Sequence, residues 1–63
     1  MEVTWRRHRV GEGWTALGDN RIVGAVVSIV REGRRYWVAS VGWRRVGRFA
    51  TVDEAKTAVE AAL

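Results

Sequence analysis

The spacing of apolar residues changes once along this chain. As far as residue 49 apolar positions tend to alternate; from residue 52 they recur in threes and fours. That change predicts strands followed by one helix. The helix carries the clearest signal. Thr51 followed by Glu54 is a capping box: the Thr51 hydroxyl accepts from the Glu54 N–H, and the Glu54 carboxylate reaches back to the Thr51 N–H. Asp53 and Glu54 place negative charge on the positive end of the helix dipole. Ala55, Ala58, Val59, Ala62 and Leu63 then form one apolar stripe. Lys56 and Glu60, four apart, are expected to face solvent. The helix is predicted over 52–63. Its stripe is mostly Ala, so it must lie close to whatever it covers, and a helix this short needs tertiary packing to persist.

Ahead of the helix, turn chemistry divides the chain. Residues 2–10 alternate loosely and read as an edge strand or an extended basic arm, ended by Gly11-Glu12-Gly13. Trp14 to Leu17 is a short strand, and Gly18-Asp19-Asn20 is a hairpin turn. Arg21 to Val30, rich in Val and Ile, is the next strand. Arg31-Glu32-Gly33-Arg34 is a second hairpin turn, with Gly33 free to take positive φ. Arg35 to Val41 and Arg44 to Phe49 are strands joined by a tight turn at Gly42-Trp43. The expected class is α+β: an antiparallel meander of three to four strands with one C-terminal helix packed on one face. Residues 1–63 form a single domain, with 1–12 as arm or edge strand, 13–50 as sheet and 52–63 as helix.

Period-two alternation assigns the faces. Val23, Ala25, Val27 and Ile29, with Trp37, Ala39, Val41 and Phe49, are expected under the helix. The opposite face then carries Val26, Val30, Tyr36, Val38, Arg44, Val46 and Arg48, too apolar for an ordinary wetted face. Trp5, Trp14 and Leu17 folding across it, a second copy, or a ligand would cover it. Partial cover by the N-terminal arm together with a homodimer contact is expected, the dimer through Val26, Tyr36, Val38 and Val46, an apolar centre with a polar rim.

Composition narrows the chemistry. Without cysteine there is neither a disulfide framework nor a Cys-based zinc site, and one histidine builds no metal centre. His8 has no Ser, Cys or carboxylate partner at a recognisable spacing, and the glycines do not form a phosphate loop before a helix. The expectation is a non-enzymatic protein without cofactor. The longest apolar run, Ile22 to Val30, is too short to span a bilayer and contains Gly24 and Ser28. Arg6, Arg7 and Arg9 interrupt any signal-peptide core. A cytoplasmic protein with no membrane partner is expected.

Charge sharpens this picture. Residues 1–50 hold ten Arg against Glu2, Glu12, Asp19 and Glu32, giving +6; residues 51–63 hold Lys56 against Asp53, Glu54 and Glu60, giving −2. Such asymmetry suits a polyanionic partner. Trp5 with Arg6, Arg7 and Arg9, and Trp43 with Arg44, Arg45 and Arg48, combine the side chains that hold phosphates and stack on bases. Arg6, Arg7, Arg9, Arg34, Arg35, Trp43, Arg44 and Arg48 are the candidate nucleic-acid contacts. Trp37, between apolar neighbours, is expected in the core.

Trp37-Val-Ala-Ser-Val41, then Gly47-Arg-Phe-Ala-Thr51, then Glu54-Ala-Lys-Thr-Ala-Val-Glu-Ala-Ala62 resembles the DNA-binding domain of plant ethylene-response factors. The arm-site domains of phage integrases share that three-strand-plus-helix plan. The resemblance covers residues 37–62. It implies DNA binding in the major groove through the sheet face away from the helix. The other expectation is a protein-binding module like those of phages and mobile elements, an inhibitor or adaptor docking on a larger host protein, with no nucleic acid partner.

Overall fold

Five strands form: β1 (Val3–Arg7), β2 (Gly13–Gly18), β3 (Arg21–Arg31), β4 (Arg34–Val41) and β5 (Arg44–Phe49). One helix, α1 (Val52–Ala62), follows. The computed structural model describes residues 2–63. Strands adjacent in sequence are adjacent in space, so the sheet is an antiparallel meander in the order β1-β2-β3-β4-β5. The N-terminal stretch is an edge strand, paired from Val3↔Gly18 to Arg7↔Trp14, and brings the sheet to five strands.

The turns set the register. Asp19 and Asn20 (φ 51 and 62), and Glu32 and Gly33 (φ 75 for Gly33), place both central residues in the left-handed region. That is the type I′ pattern, whose twist matches that of the strands. At Gly42-Trp43 only Gly42 is left-handed (φ 61), as a type II′ turn requires.

Residues opposite one another in register share a face. One row runs Arg7, Trp14, Val26, Ala39, Gly47; the next runs Trp5, Ala16, Gly24, Val41, Arg44. Ala16, Val26 and Ala39 from these rows form the core with Ala55 and Val59 of α1, and all five are fully buried. This corrects the expected assignment for β3 except at Val23, which the β2–β3 bulge leaves unpaired and packed against the core as expected. Val26 lies beneath the helix, while Ala25, Val27 and Ile29 lie on the opposite face with Val38 and Tyr36. Two bulges shift the alternation further. One falls between Ala16 and Leu17, the other between Ala39 and Ser40. The second leaves Val46 unpaired and half-buried against the core, turns Arg44 to the helix side beside Val41, and puts Arg45 on the outer face opposite Ser40.

Glycine at position 24 lets the helix come close. A Cβ there would stand 2.9 Å from Val59 Cγ1 and 2.7 Å from the Ser40 carbonyl oxygen. The helix starts at Thr51, whose hydroxyl accepts from the Glu54 N–H (3.2 Å) and donates to Glu54 Oε1 (3.0 Å). The Glu54 carboxylate therefore meets the Thr51 hydroxyl rather than the expected backbone N–H. Trp5 and Trp14 wall the helix on its β1–β2 side and do not fold across the opposite face. Lys56 lies over both rings, 3.6 Å from the Trp14 centroid and 5.4 Å from that of Trp5. Trp5 Nε1–H donates to Glu60 Oε2 at 3.2 Å. Lys56 and Glu60 thus clasp the two indoles instead of pairing in solvent.

Candidate nucleic-acid interface

The helix and the three packed tryptophans all lie on one side, so the other side of the sheet is bare. Its rows are Arg6-Thr15-Ala25-Ser40-Arg45, then Gly13-Val27-Val38-Arg48, then Ile29-Tyr36 and Arg31-Arg34. Val38 at the centre is 7% exposed, whereas Val27 and Ile29 are 38% and 41% exposed. The face is therefore an apolar middle bordered by Arg6, Arg31, Arg34, Arg45 and Arg48.

Its charge is one-sided. The five strands contain nine of the ten arginines and, among the described residues, no strand contains Asp or Glu. The carboxylates are confined to loops, termini and α1. Period-two alternation puts the strand arginines on both faces, and the helix side receives Arg7, Arg21, Arg35 and Arg44. Arg35 forms an ion pair with Glu12 of the β1–β2 loop. Both partners are about half exposed, so the pair contributes at most about 1 kcal/mol. Its larger effect is to hold that loop against β4, while the Ser28 N–H of β3 donates to the Glu12 carbonyl (3.1 Å).

At the β4–β5 edge a shallow cleft of about 530 Å³ straddles the two faces, lined by Arg34, Tyr36 and Arg48 of the outer face together with Arg35, Phe49 and Ala50. The Arg48 guanidinium carbon stands 5.3 Å from the Tyr36 ring centroid, which orients the guanidinium while leaving its outer N–H groups free for an anion.

The candidate residues therefore divide. Arg6, Arg34 and Arg48 share the outer face with Tyr36 and Val38. Arg7, Arg35, Arg44 and Val26 are on the helix side. Arg9 is in the β1–β2 loop, and Trp43 is at the tip of the β4–β5 turn. Arg31 and Arg45, absent from the candidate contacts, and Val27 and Ile29, expected under the helix, join the outer face. His8 is half-buried: its ring lies over Gly13, and Nε2 is 2.7 Å from Thr15 Oγ1, a hydrogen bond that fixes the start of the loop.

Among the described residues no group of three or more His, Cys, Asp or Glu could hold a metal ion, and no helix is long and apolar enough to cross a membrane. No family model, curated protein or solved structure matches the chain.

Proposed function

We propose that this is a DNA-binding module that lays the bare face of its sheet on the phosphate backbone and groove of a duplex. The observation that carries the reading is the sheet's charge: nine strand arginines, no strand carboxylate among the described residues, and one face left uncovered. Arg6 and Arg45 lie at opposite ends of one row across all five strands, suited to phosphates on either side of a groove. Arg31 and Arg34 extend the face along the β3–β4 hairpin. A two-stranded ribbon of that kind fits the major groove. The same face is the one implied by the resemblance over residues 37–62.

A mobility-shift titration on mixed-sequence duplex tests this. If the five outer-face arginines each neutralise one phosphate, affinity falls roughly 500-fold between about 50 and about 200 mM salt. Replacing Arg45 and Arg48 together by Ala lowers the salt slope by about 2. Absence of binding at low salt ends the reading.

A protein partner is the second reading, favoured by the half-exposed Val27 and Ile29 inside the arginine border, an apolar centre with a polar rim. The partner surface would be acidic. A homodimer across this face is the weaker form of that reading, because each copy would bring its arginines against those of the other with no strand carboxylate to pair them. Failure to bind duplex, together with a stoichiometric protein partner that survives nuclease treatment, would select the protein reading.

A further inference from the structure

We infer that Trp43 is a base-stacking finger, taking the flat face of one unpaired nucleobase in a nucleic acid held by the sheet; the inference rests on the DNA reading above. Trp43 is the tryptophan that folding does not use. It is fully exposed (102%), whereas Trp5 and Trp37 pack against the core and Trp14 lies under Lys56. A packed indole withdraws roughly 150–250 Å² from water. Trp43 forgoes that, and its turn needs only the glycine beside it.

The indole is also held on a stiff support. It is the second residue of a two-residue turn, and the Gly42 N–H donates to the Val23 carbonyl of β3 at 3.1 Å, pinning the turn to the neighbouring strand. Arg44 and Arg45 follow it directly, and Arg21 opens β3 at the same end of the sheet. The carboxylates of that end, Glu2 and Asp19, lie together toward the β1–β2 side with Thr4, Arg6 and Leu17. An exposed indole among cations fits a ligand that joins a flat π-face to a phosphate, which is a nucleotide unit.

Inside a duplex the base faces are already covered by stacking, and only their edges reach the grooves. The ligand face therefore comes from an unpaired base: an overhang, a junction or an opened end. The implied partner is duplex DNA on the sheet with a single-stranded continuation at the Trp43 end.

The test compares a blunt duplex with the same duplex carrying a short single-stranded overhang, using the wild type, Trp43→Ala and Trp43→Phe. Thermal midpoints verify folding, which should hold because the side chain touches nothing. Wild type is expected to bind the overhang duplex roughly tenfold more tightly than the blunt one, with quenching of tryptophan emission. Trp43→Ala should bind both at the blunt-duplex level without that quenching, and Trp43→Phe should keep part of the preference. Equal binding of both duplexes by wild type, or an overhang preference that survives in Trp43→Ala, overturns the finger and leaves the DNA reading standing. Binding of neither duplex at low salt overturns both. An emission shift with anionic phosphatidylserine vesicles, and none with the overhang duplex, assigns Trp43 to a lipid surface and overturns the nucleobase.

Discussion

Gly24→Ala tests how the helix is seated. The added Cβ would stand 2.7 Å from the Ser40 carbonyl oxygen and 2.9 Å from Val59 Cγ1. The first neighbour is backbone of the paired strand and cannot rotate away. The second belongs to one of the two buried residues of α1. To restore ordinary contact, either the β3–β4 pairing distorts or α1 lifts, and lifting loosens Ala55 and Val59 together. Overpacking of this kind costs about 1–3 kcal/mol. Gly→Ala returns roughly 0.5–1 kcal/mol by restricting the unfolded chain. The net loss is about 1–2 kcal/mol, against a total stability of roughly 3–9 kcal/mol for a domain of this size. Thermal denaturation followed by circular dichroism should show a midpoint lower by about 5–15 °C. An unchanged or raised midpoint would refute close seating of α1 on Gly24. Repeating the substitution in Val59→Ala separates the two contacts: the cost shrinks if Val59 is responsible and persists if the Ser40 carbonyl is.

Two further stability predictions come from the backbone. Thr51→Ala removes both capping hydrogen bonds and should cost about 1 kcal/mol in urea denaturation; an unchanged midpoint would mean that the helix does not depend on that cap. Glu32 holds φ 54 at the first centre of a type I′ turn, a conformation that disfavours its side chain. Glu32→Asn should therefore raise stability by roughly 0.5–1 kcal/mol, and a lowered thermal midpoint would count against that turn geometry.

Element order was legible because each boundary carries turn chemistry: Asp19-Asn20, Glu32-Gly33 and Gly42-Trp43 all lie where their dihedral angles require them. The faces were harder. Along β3 the odd positions Ala25, Val27 and Ile29 look as apolar as the even ones, so alternation alone leaned toward the wrong side, whereas Val23, the extra residue of the β2–β3 bulge, packs against the core as expected. A deciding signal was present in the helix. An Ala-rich stripe must sit on small residues, and Gly24 belongs to the even set, with Val26 and Ser28. The bulges left no such trace. Nothing local to Val46 announces that it is unpaired, yet that one extra residue exchanges Arg44 for Arg45 on the outer face. His8 likewise gave no sequence sign of its bond to Thr15, since the loop that joins them is visible only in three dimensions.

The placement of charge supports a ligand more than any single arginine does. Arg31 and Arg34 are directly opposed across β3 and β4, and like charges so placed cost roughly 0.2–1 kcal/mol. A sheet evolved for stability alone would relieve such pairs by interleaving Glu among the strand positions. Here the acidic residues are kept near the N-terminus, in the loops and turns and on α1, where Asp53 and Glu54 favour the helix dipole. Segregation of this kind gives up self-pairing across the face and leaves the repulsion to be neutralised from outside. A polyanion does that at many points at once, and the release of its condensed counterions is the reason its binding weakens steeply with salt. An acidic protein surface would neutralise the same arginines without that counterion term, so the salt slope distinguishes the two proposed partners.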